Sequence, residues 1–479
     1  MRSLTPYLSG FALAFSMAFS APSWPGDLLD YNPEFGNTEQ LDAPDSVVEV
    51  RIDRSKTLMT IPARFYGINM HPGSSKYEFA RPELLRALKP DAVRIMTLMR
   101  TDWPADHSGR RISPLSTGPG RFDWHELDTL VDNIVSIGAE PYLALGFGPP
   151  SWLSGAPAEW VRRPPPRARI PEYADFMASI VERYATLKAL PIRRVTIDNE
   201  PENVGYSIED YMSLVRLAKE RIKERAPDVQ VGGPTIGYAY WPQPAGNRLD
   251  FAASTKEFAM TGTPFDFYDW HIYSTTPEPV LRTVQAVRRW YDSRLPLVIS
   301  ELNRDWRFGG AARERSEENN TGWESVAWLA YLYDRLQLAG IDQVFYFAWR
   351  ENTLGLVSAD SSRIRPNFYL FSVLTNALGR TRIATNMNNS AVGCIATISA
   401  QGKVAAVIYN RTARTAKIAV NTGSRADLSV QRFSESWYRS TQRQAADPLN
   451  APPIEVQAQR GQSPVSWDLP PGGFALVLE

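Results

Sequence analysis

Between residues 65 and 350, eight apolar runs of strand-forming residues alternate with amphipathic helical stretches, and this rhythm restricts the fold more than any other feature. The runs are 65–71, 91–98, 140–148, 193–200, 229–237, 265–273, 295–303 and 343–350. FDWHELDTLVDNIVSIG and IPEYADFMASIVERYATLK are two of the intervening helical stretches. Strands that lack in–out alternation are covered on both faces, and strands separated by helices pair in parallel. The pattern therefore predicts an α/β fold, a (β/α)8 TIM barrel. An open doubly wound sheet is the other way to use such units, but its glycine-rich phosphate loop is absent.

The pattern changes after about Pro366. A helix-like segment leads into short alternating strands such as KVAAVIYN and GGFALVLE, separated by Gly, Asn and Ser turns, which predicts a C-terminal antiparallel β-sandwich. The domain plan is thus a barrel over 46–365 and a sandwich over 366–479, with the strand at 46–54 free to join the C-terminal sheet. Residues 22–45 are rich in Pro, Gly, Asn and Asp and read as a linker. Residues 1–21 have the outline of a signal peptide: one Arg, an apolar run from Phe11 to Phe19, then small residues. The run is too short to span a bilayer, so the expectation is a secreted or periplasmic protein without a membrane span.

Lys+Arg and Asp+Glu each number 52, and this zero net charge removes the electrostatic footprint of a nucleic-acid binder. The single cysteine, Cys394, lies in an alternating strand and is expected to be a buried structural thiol. His71, His107, His125 and His271 form no pair at metal-ligand spacing, so no metal or other cofactor is expected. The 14 Trp and 20 Tyr permit sugar-stacking surfaces without requiring them.

Barrel enzymes collect their chemistry at the C-terminal ends of the strands. Glu200 closes the fourth run in VTIDNEPENVGY, and Glu301 closes the seventh in LVISELN. Two carboxyl groups facing a sugar across a barrel mouth are what glycoside hydrolysis uses: one protonates the leaving oxygen and the other attacks the anomeric carbon. In retaining enzymes they stand about 5–5.5 Å apart. A lone glutamate at a strand end says little, but Asn-Glu-Pro on strand four with Ser-Glu on strand seven says much more.

On these motifs the chain resembles glycoside hydrolase clan A. Within the clan it is most similar to family 39 (β-xylosidase-like) around FDWHELDTLVDNIVSIGAEPYLALGFGPPSWL. YADFMASIVERYATLKALPIRRVTIDNEP is closer in cadence to family 30. Asp198 stands where family 39 usually has Trp. The resemblance implies that Glu200 is the acid/base and Glu301 the nucleophile. It further implies that Arg94 and Tyr273 hold Glu301, and that Asn199 contacts the sugar 2-hydroxyl. His271 is placed to reach the sugar or the acid/base. Trp349 is a candidate floor for the sugar ring, His71 a candidate hydroxyl contact and Trp152 a candidate rim residue. The expected partner is a carbohydrate substrate, from a plant or bacterial polysaccharide or oligosaccharide.

Plainer readings accompany these. Both glutamates could be structural ion-pair members, and Tyr273 and His271 could be satisfied core groups. Glu202 is expected to be a solvated loop charge, and Glu318, Glu324, His107 and His125 to do nothing chemical. Arg110, Arg111, Arg307, Arg313 and Arg315 are read as a solvated rim rather than an acidic-sugar site. A non-catalytic carbohydrate-binding barrel and a transglycosylase would share this sequence pattern. Which sugar is cut, exo or endo action, and oligomeric state do not follow from it.

Overall fold

In the computed structural model of the protein, the eight runs close into one parallel barrel, in the order seventh, eighth, first, second, third, fourth, fifth, sixth. The structure describes residues 46–70, 75–97, 114–155, 163–237, 264–290, 294–307, 313–423, 427–444, 449, 454–457 and 464–479. The expected signal peptide and linker, and with them His71, His107, Arg110 and Arg111, lie outside the described residues. The barrel strands are Tyr66–Met70, Ala92–Met96, Glu140–Ala144, Arg194–Thr196, Gln230–Ile236, Phe267–Tyr273, Leu297–Asn303 and Gln343–Tyr346.

The barrel interior is layered. Ala92, Tyr142, Phe267, Val298 and Phe345 form an apolar floor. Space there is tight enough to dictate a glycine: a Cβ on Gly232 would lie 2.1 Å from the Phe267 ring. Side chains two residues further along a strand share the same face, so Arg94 sits above Ala92, and Asp269, His271 and Tyr273 climb in turn above Phe267. The lowest polar contact joins the layers, the Tyr142 hydroxyl donating to Asp269 Oδ2 at 2.5 Å. Apolar side chains therefore fill the bottom of the barrel, and polar ones accumulate towards the C-terminal mouth.

Strand seven departs from simple alternation. Ile299 pairs with Trp270 and Glu301 with His271, which leaves Ser300 as an extra residue. Val298 belongs to the inner floor, so unbroken alternation would turn Ser300 inward and Glu301 outward. The bulge breaks the alternation and aims Glu301 into the barrel. Asn69 on strand one clamps the bulge by donating from Nδ2 to the Ser300 carbonyl at 2.8 Å.

The helix Pro366–Ala377 packs on the barrel, with Ser372 and Thr375 bonding the Ala87 and Leu88 carbonyls. The barrel layer thus runs past residue 366, and the C-terminal sheet begins at Thr381. Among the described residues that sheet has nine strands, and alternate residues of its strands feed one core that includes the buried Cys394. It is mixed rather than wholly antiparallel. The pre-barrel strand Val48–Thr60 lies inside it, antiparallel to Thr381–Met387 and parallel to Ala416–Asn421. A parallel pair needs a long crossover, and here the whole barrel intervenes in the chain. Among the described residues no helix is long and apolar enough to cross a membrane.

Candidate active site

Strand four is short. It ends at Thr196, and the chain then turns sharply through Asp198 and Glu200, both with positive φ (63° and 45°), into the short helix Pro201–Val204. Glu200 therefore sits four residues past the strand, as the residue capping that helix, rather than closing the strand itself. Left-handed backbone costs a non-glycine residue about 1–3 kcal/mol and persists only where the surroundings hold it.

Asp198 supplies that hold. Its Oδ1 accepts from the Gly148 and Asn199 amides at 2.7 and 2.9 Å, and its Oδ2 from the Tyr206 and Tyr173 hydroxyls at 2.8 and 3.5 Å. Full burial raises its pKa, and these four donors work against the rise. Gly146 makes room for the arrangement, since a Cβ there would lie 2.3 Å from the Tyr173 hydroxyl and 3.0 Å from Asp198 Oδ1. Asp tolerates the left-handed region through local hydrogen bonding. An Asp directly ahead of Asn-Glu was the signal available for this role.

Arg94 is the hub of the mouth. Its Nη1 donates to Glu301 Oε1 and Asn69 Oδ1, both at 2.9 Å, and its Nη2 donates to Asn199 Oδ1 at 2.5 Å. Tyr273 donates its hydroxyl to the other oxygen of Glu301, Oε2, at 2.6 Å. Burial and then the Glu301 charge raise the Tyr273 pKa well above its usual value, which keeps the phenol a donor. Glu200 accepts from Asn203 Nδ2 at 2.9 Å through Oε2. His271 bridges the carboxylates, with Nδ1 at 3.2 Å from Glu200 Oε1 and 3.5 Å from Glu301 Oε2. Burial pulls the His271 pKa down, but the Glu301 charge and the hydrogen bond to Glu200 outweigh it, so the net direction is up.

The structure thus brings Arg94, Asn199, Glu200, His271, Tyr273 and Glu301 together. Ligand atoms of Glu200, His271 and Glu301 all lie within 4.8 Å of one another. The charge of Glu301 is already met by the Arg94 guanidinium at 2.9 Å, so the set reads as a proton-handling cluster rather than a metal cage. Trp349 is not at the mouth surface. It is fully buried, with its indole N–H on the Glu78 carbonyl at 3.0 Å, and packs as core. Trp152 is half-buried under Arg169, whose guanidinium sits 5.4 Å from the ring centroid. Glu202 is no solvated loop charge: its Oε1 accepts from the Gly237 amide at 2.5 Å and its Oε2 is sealed from solvent. Of the arginines read as rim, Arg313 and Arg315 are exposed, and Arg307 pairs with Asp305 at 2.7 Å.

A closed (β/α)8 barrel presenting two facing carboxylates beyond strand four and on strand seven, one of them gripped by Arg and Tyr, is the arrangement of glycoside hydrolase clan A. Within that clan the chain resembles family 39 most, with family 30 features. The description "Glycosyl hydrolases family 39" matches residues 85–288. A β-xylosidase of Geobacillus stearothermophilus is 24% identical over 216 residues, 38% of this chain and 41% of the relative, so the match spans well under half of that protein's length. In fold, the chain is similar to a family 39 β-xylosidase from Caulobacter crescentus, with TM-score 0.65 and 18% identity over 90% of this chain and 99% of that one. It is also similar to a family 30 endoxylanase from Clostridium papyrosolvens C71, with TM-score 0.59 and 13% identity over 90% and 99%.

Proposed function

We propose that the protein is a retaining glycoside hydrolase that cleaves a β-xyloside, or a related linkage in a plant or bacterial polysaccharide or oligosaccharide, by double displacement. One observation carries the reading: an oxygen of Glu200 and an oxygen of Glu301 lie within 4.8 Å of each other. That is the separation direct attack needs, whereas an inverting pair stands about 6.5–9.5 Å apart to admit a water.

In the first step Glu301, oriented by Arg94 on Oε1 and Tyr273 on Oε2, attacks the anomeric carbon. Glu200 gives its proton to the departing oxygen, and the sugar becomes an ester of Glu301. In the second step Glu200 takes a proton from water. The resulting hydroxide oxygen bonds to the anomeric carbon, and Glu301 leaves as carboxylate. Asn199, whose Oδ1 is held by Arg94, is left with its amide N–H groups for the sugar 2-hydroxyl, a contact that strengthens in the transition state. Export belongs to the same proposal, supported by the apolar run from Phe11 to Phe19, and N-terminal sequencing of protein recovered outside the cytoplasm checks it.

The deciding experiment uses an activated 2-deoxy-2-fluoro-β-xyloside together with a panel of aryl glycosides. The expected result is a fluorosugar adduct on the peptide containing Glu301, and release of product with retained anomeric configuration by NMR. An inverted product, or no cleavage across the panel despite sugar binding by calorimetry, would refute the proposal. Product analysis with added acceptor sugars separates hydrolysis from transglycosylation.

A further inference from the structure

A second carboxyl group stands beside the acid/base and takes no part in the double displacement. Glu202 lies in the first turn of the short helix Pro201–Val204 that Glu200 caps. Its side chain folds back under the mouth to the end of strand five, where Oε1 accepts from the Gly237 amide. Its Oε2 is closed off from solvent and has no hydrogen-bond partner among the described residues. Gly237 fixes how near the two glutamates come: a Cβ there would lie 2.9 Å from Glu200 Oε1 and 3.2 Å from Glu202 Oε1. Two carboxyl oxygens therefore converge on one point that only a glycine leaves open. The charge of Glu200 acts on Glu202 across this gap.

We propose that Glu202 is a positioning residue for Glu200, a neighbouring carboxyl that gives up its proton as part of a coupled pair with the acid/base. The inference rests on the acid/base role of Glu200 proposed above. The surroundings are consistent with a carboxyl that stays neutral around pH 7. Burial first, and the charge of Glu200 second, push Glu202 up to about 8. Among the described residues, these groups act on it. Glu200 disfavours its ionisation; the Gly237 amide, the amide of Glu202 itself and the His271 charge favour it. The Tyr211 phenol, from the helix Ile208–Arg225, is driven up by burial first and by the Asp198 and Glu202 charges after it, and stays neutral.

The consequence is directional. When Glu202 ionises, its new charge resists loss of the Glu200 proton, so a fraction of the enzyme keeps its acid at a pH where an isolated Glu200 would have lost it. Glu202→Gln keeps the acceptor for Gly237 and removes the titration. The ratio of wild-type to variant kcat/KM on an aryl glycoside with a poor leaving group should stay flat from pH 5 to 6.5. It should then climb on the order of tenfold by pH 9, the size of one unit of coupling. Glu202→Asp should restore part of the climb. A ratio that stays constant with pH, even if large, would mean a structural role only and overturns the proposal.

A second readout needs no turnover. With δ-13C-labelled glutamate, the resonance lost in Glu202→Gln identifies Glu202. It should titrate near neutrality or above in the wild type, and at lower pH in Glu200→Gln. Titration in the ordinary carboxylate range, or no movement in Glu200→Gln, overturns the inference. If instead the wild-type protein cleaves no glycoside while the labelled carboxyls remain coupled, the function is what has failed and the pairing stands.

Discussion

Nη2 of Arg94 lies 3.4 Å from Nε2 of His271. A guanidinium can only donate, so the neutral form of His271 meets it with a bare Nε2 and carries its proton on Nδ1, the nitrogen between Glu200 and Glu301. That N–H can serve whichever carboxylate holds the charge: Glu301 while Glu200 is the acid, then Glu200 once Glu301 is esterified. The relationship makes the histidine a shared donor for both steps of the proposed cycle.

The first prediction concerns that proton. By 15N NMR at a pH above its titration, His271 should be protonated on Nδ1 and bare on Nε2, and Glu301→Gln should lower its pKa by removing the charge that raises it. Because the folded-state pKa is raised, the attendant stability is complete below the unfolded value of about 6.5 and is lost as pH climbs through the folded value. The Tm difference between wild type and His271→Gln should therefore shrink as pH rises above about 6.5. An Nε2–H tautomer would contradict the geometry.

The two carboxylates should fail differently. Glu301→Gln should abolish turnover on every substrate, since it removes the attacking carboxylate. Glu200→Ala should lose about 10²–10⁴-fold on poor leaving groups and much less on dinitrophenyl glycosides, with azide restoring rate by entering the vacated space. Comparable losses on both leaving-group classes would remove Glu200 from its role.

Asp198 is expected to matter as an acceptor more than as a charge. Its raised folded-state pKa means that stability falls as pH rises from the unfolded value, about 3.9, through the folded one. Asn in its place keeps an oxygen for the Gly148 and Asn199 amides, and the Tyr206 and Tyr173 hydroxyls can turn to suit. Asp198→Asn should thus unfold near the wild-type temperature at pH 7. Asp198→Ala leaves buried donors unpaired, and should lose about 2–4 kcal/mol in chemical denaturation and displace Asn199 and Glu200, lowering kcat as well.

What the sequence disclosed follows from how far each feature depends on local pattern. The eight runs are buried on both faces, so the barrel was visible in their apolarity and spacing. Glu200 and Glu301 stood in recognisable neighbourhoods, and Arg94 and Tyr273 came with the resemblance. The rest is set by tertiary geometry. The bulge at Ser300 reverses the face of Glu301, and alternation read from Val298 would have turned that glutamate to the outer face. Asn69, which ties Arg94 to the bulge, looks like any polar residue in a strand. Glu202 reads as a loop charge because its burial depends on Gly237, more than thirty residues away. Trp349 shows the converse error: an aromatic near a strand end suggested a sugar platform, yet its ring fills the core and its N–H is spent on Glu78.

The join between barrel and sheet yields a prediction about folding. Arg382, from the sheet, forms a buried ion pair with Asp334 of the barrel helix Glu324–Leu338 and donates to Gln337 Oε1 at 2.7 Å. Gln337 in turn donates to the Tyr66 hydroxyl on barrel strand one at 2.8 Å, and Tyr409 of the sheet donates to Asp334 at 2.6 Å. A network closed on both sides should make the two parts unfold together, as one calorimetric transition followed alike by tryptophan fluorescence and far-UV circular dichroism. Removing one member of a buried pair strands the other charge and costs about 3–5 kcal/mol, so Arg382→Ala should lower Tm sharply, while replacing both Arg382 and Asp334 with apolar residues should recover much of the loss. Two separated transitions in the wild type would mean that the sheet and the barrel are not coupled through this network, and so would a double variant no better than Arg382→Ala.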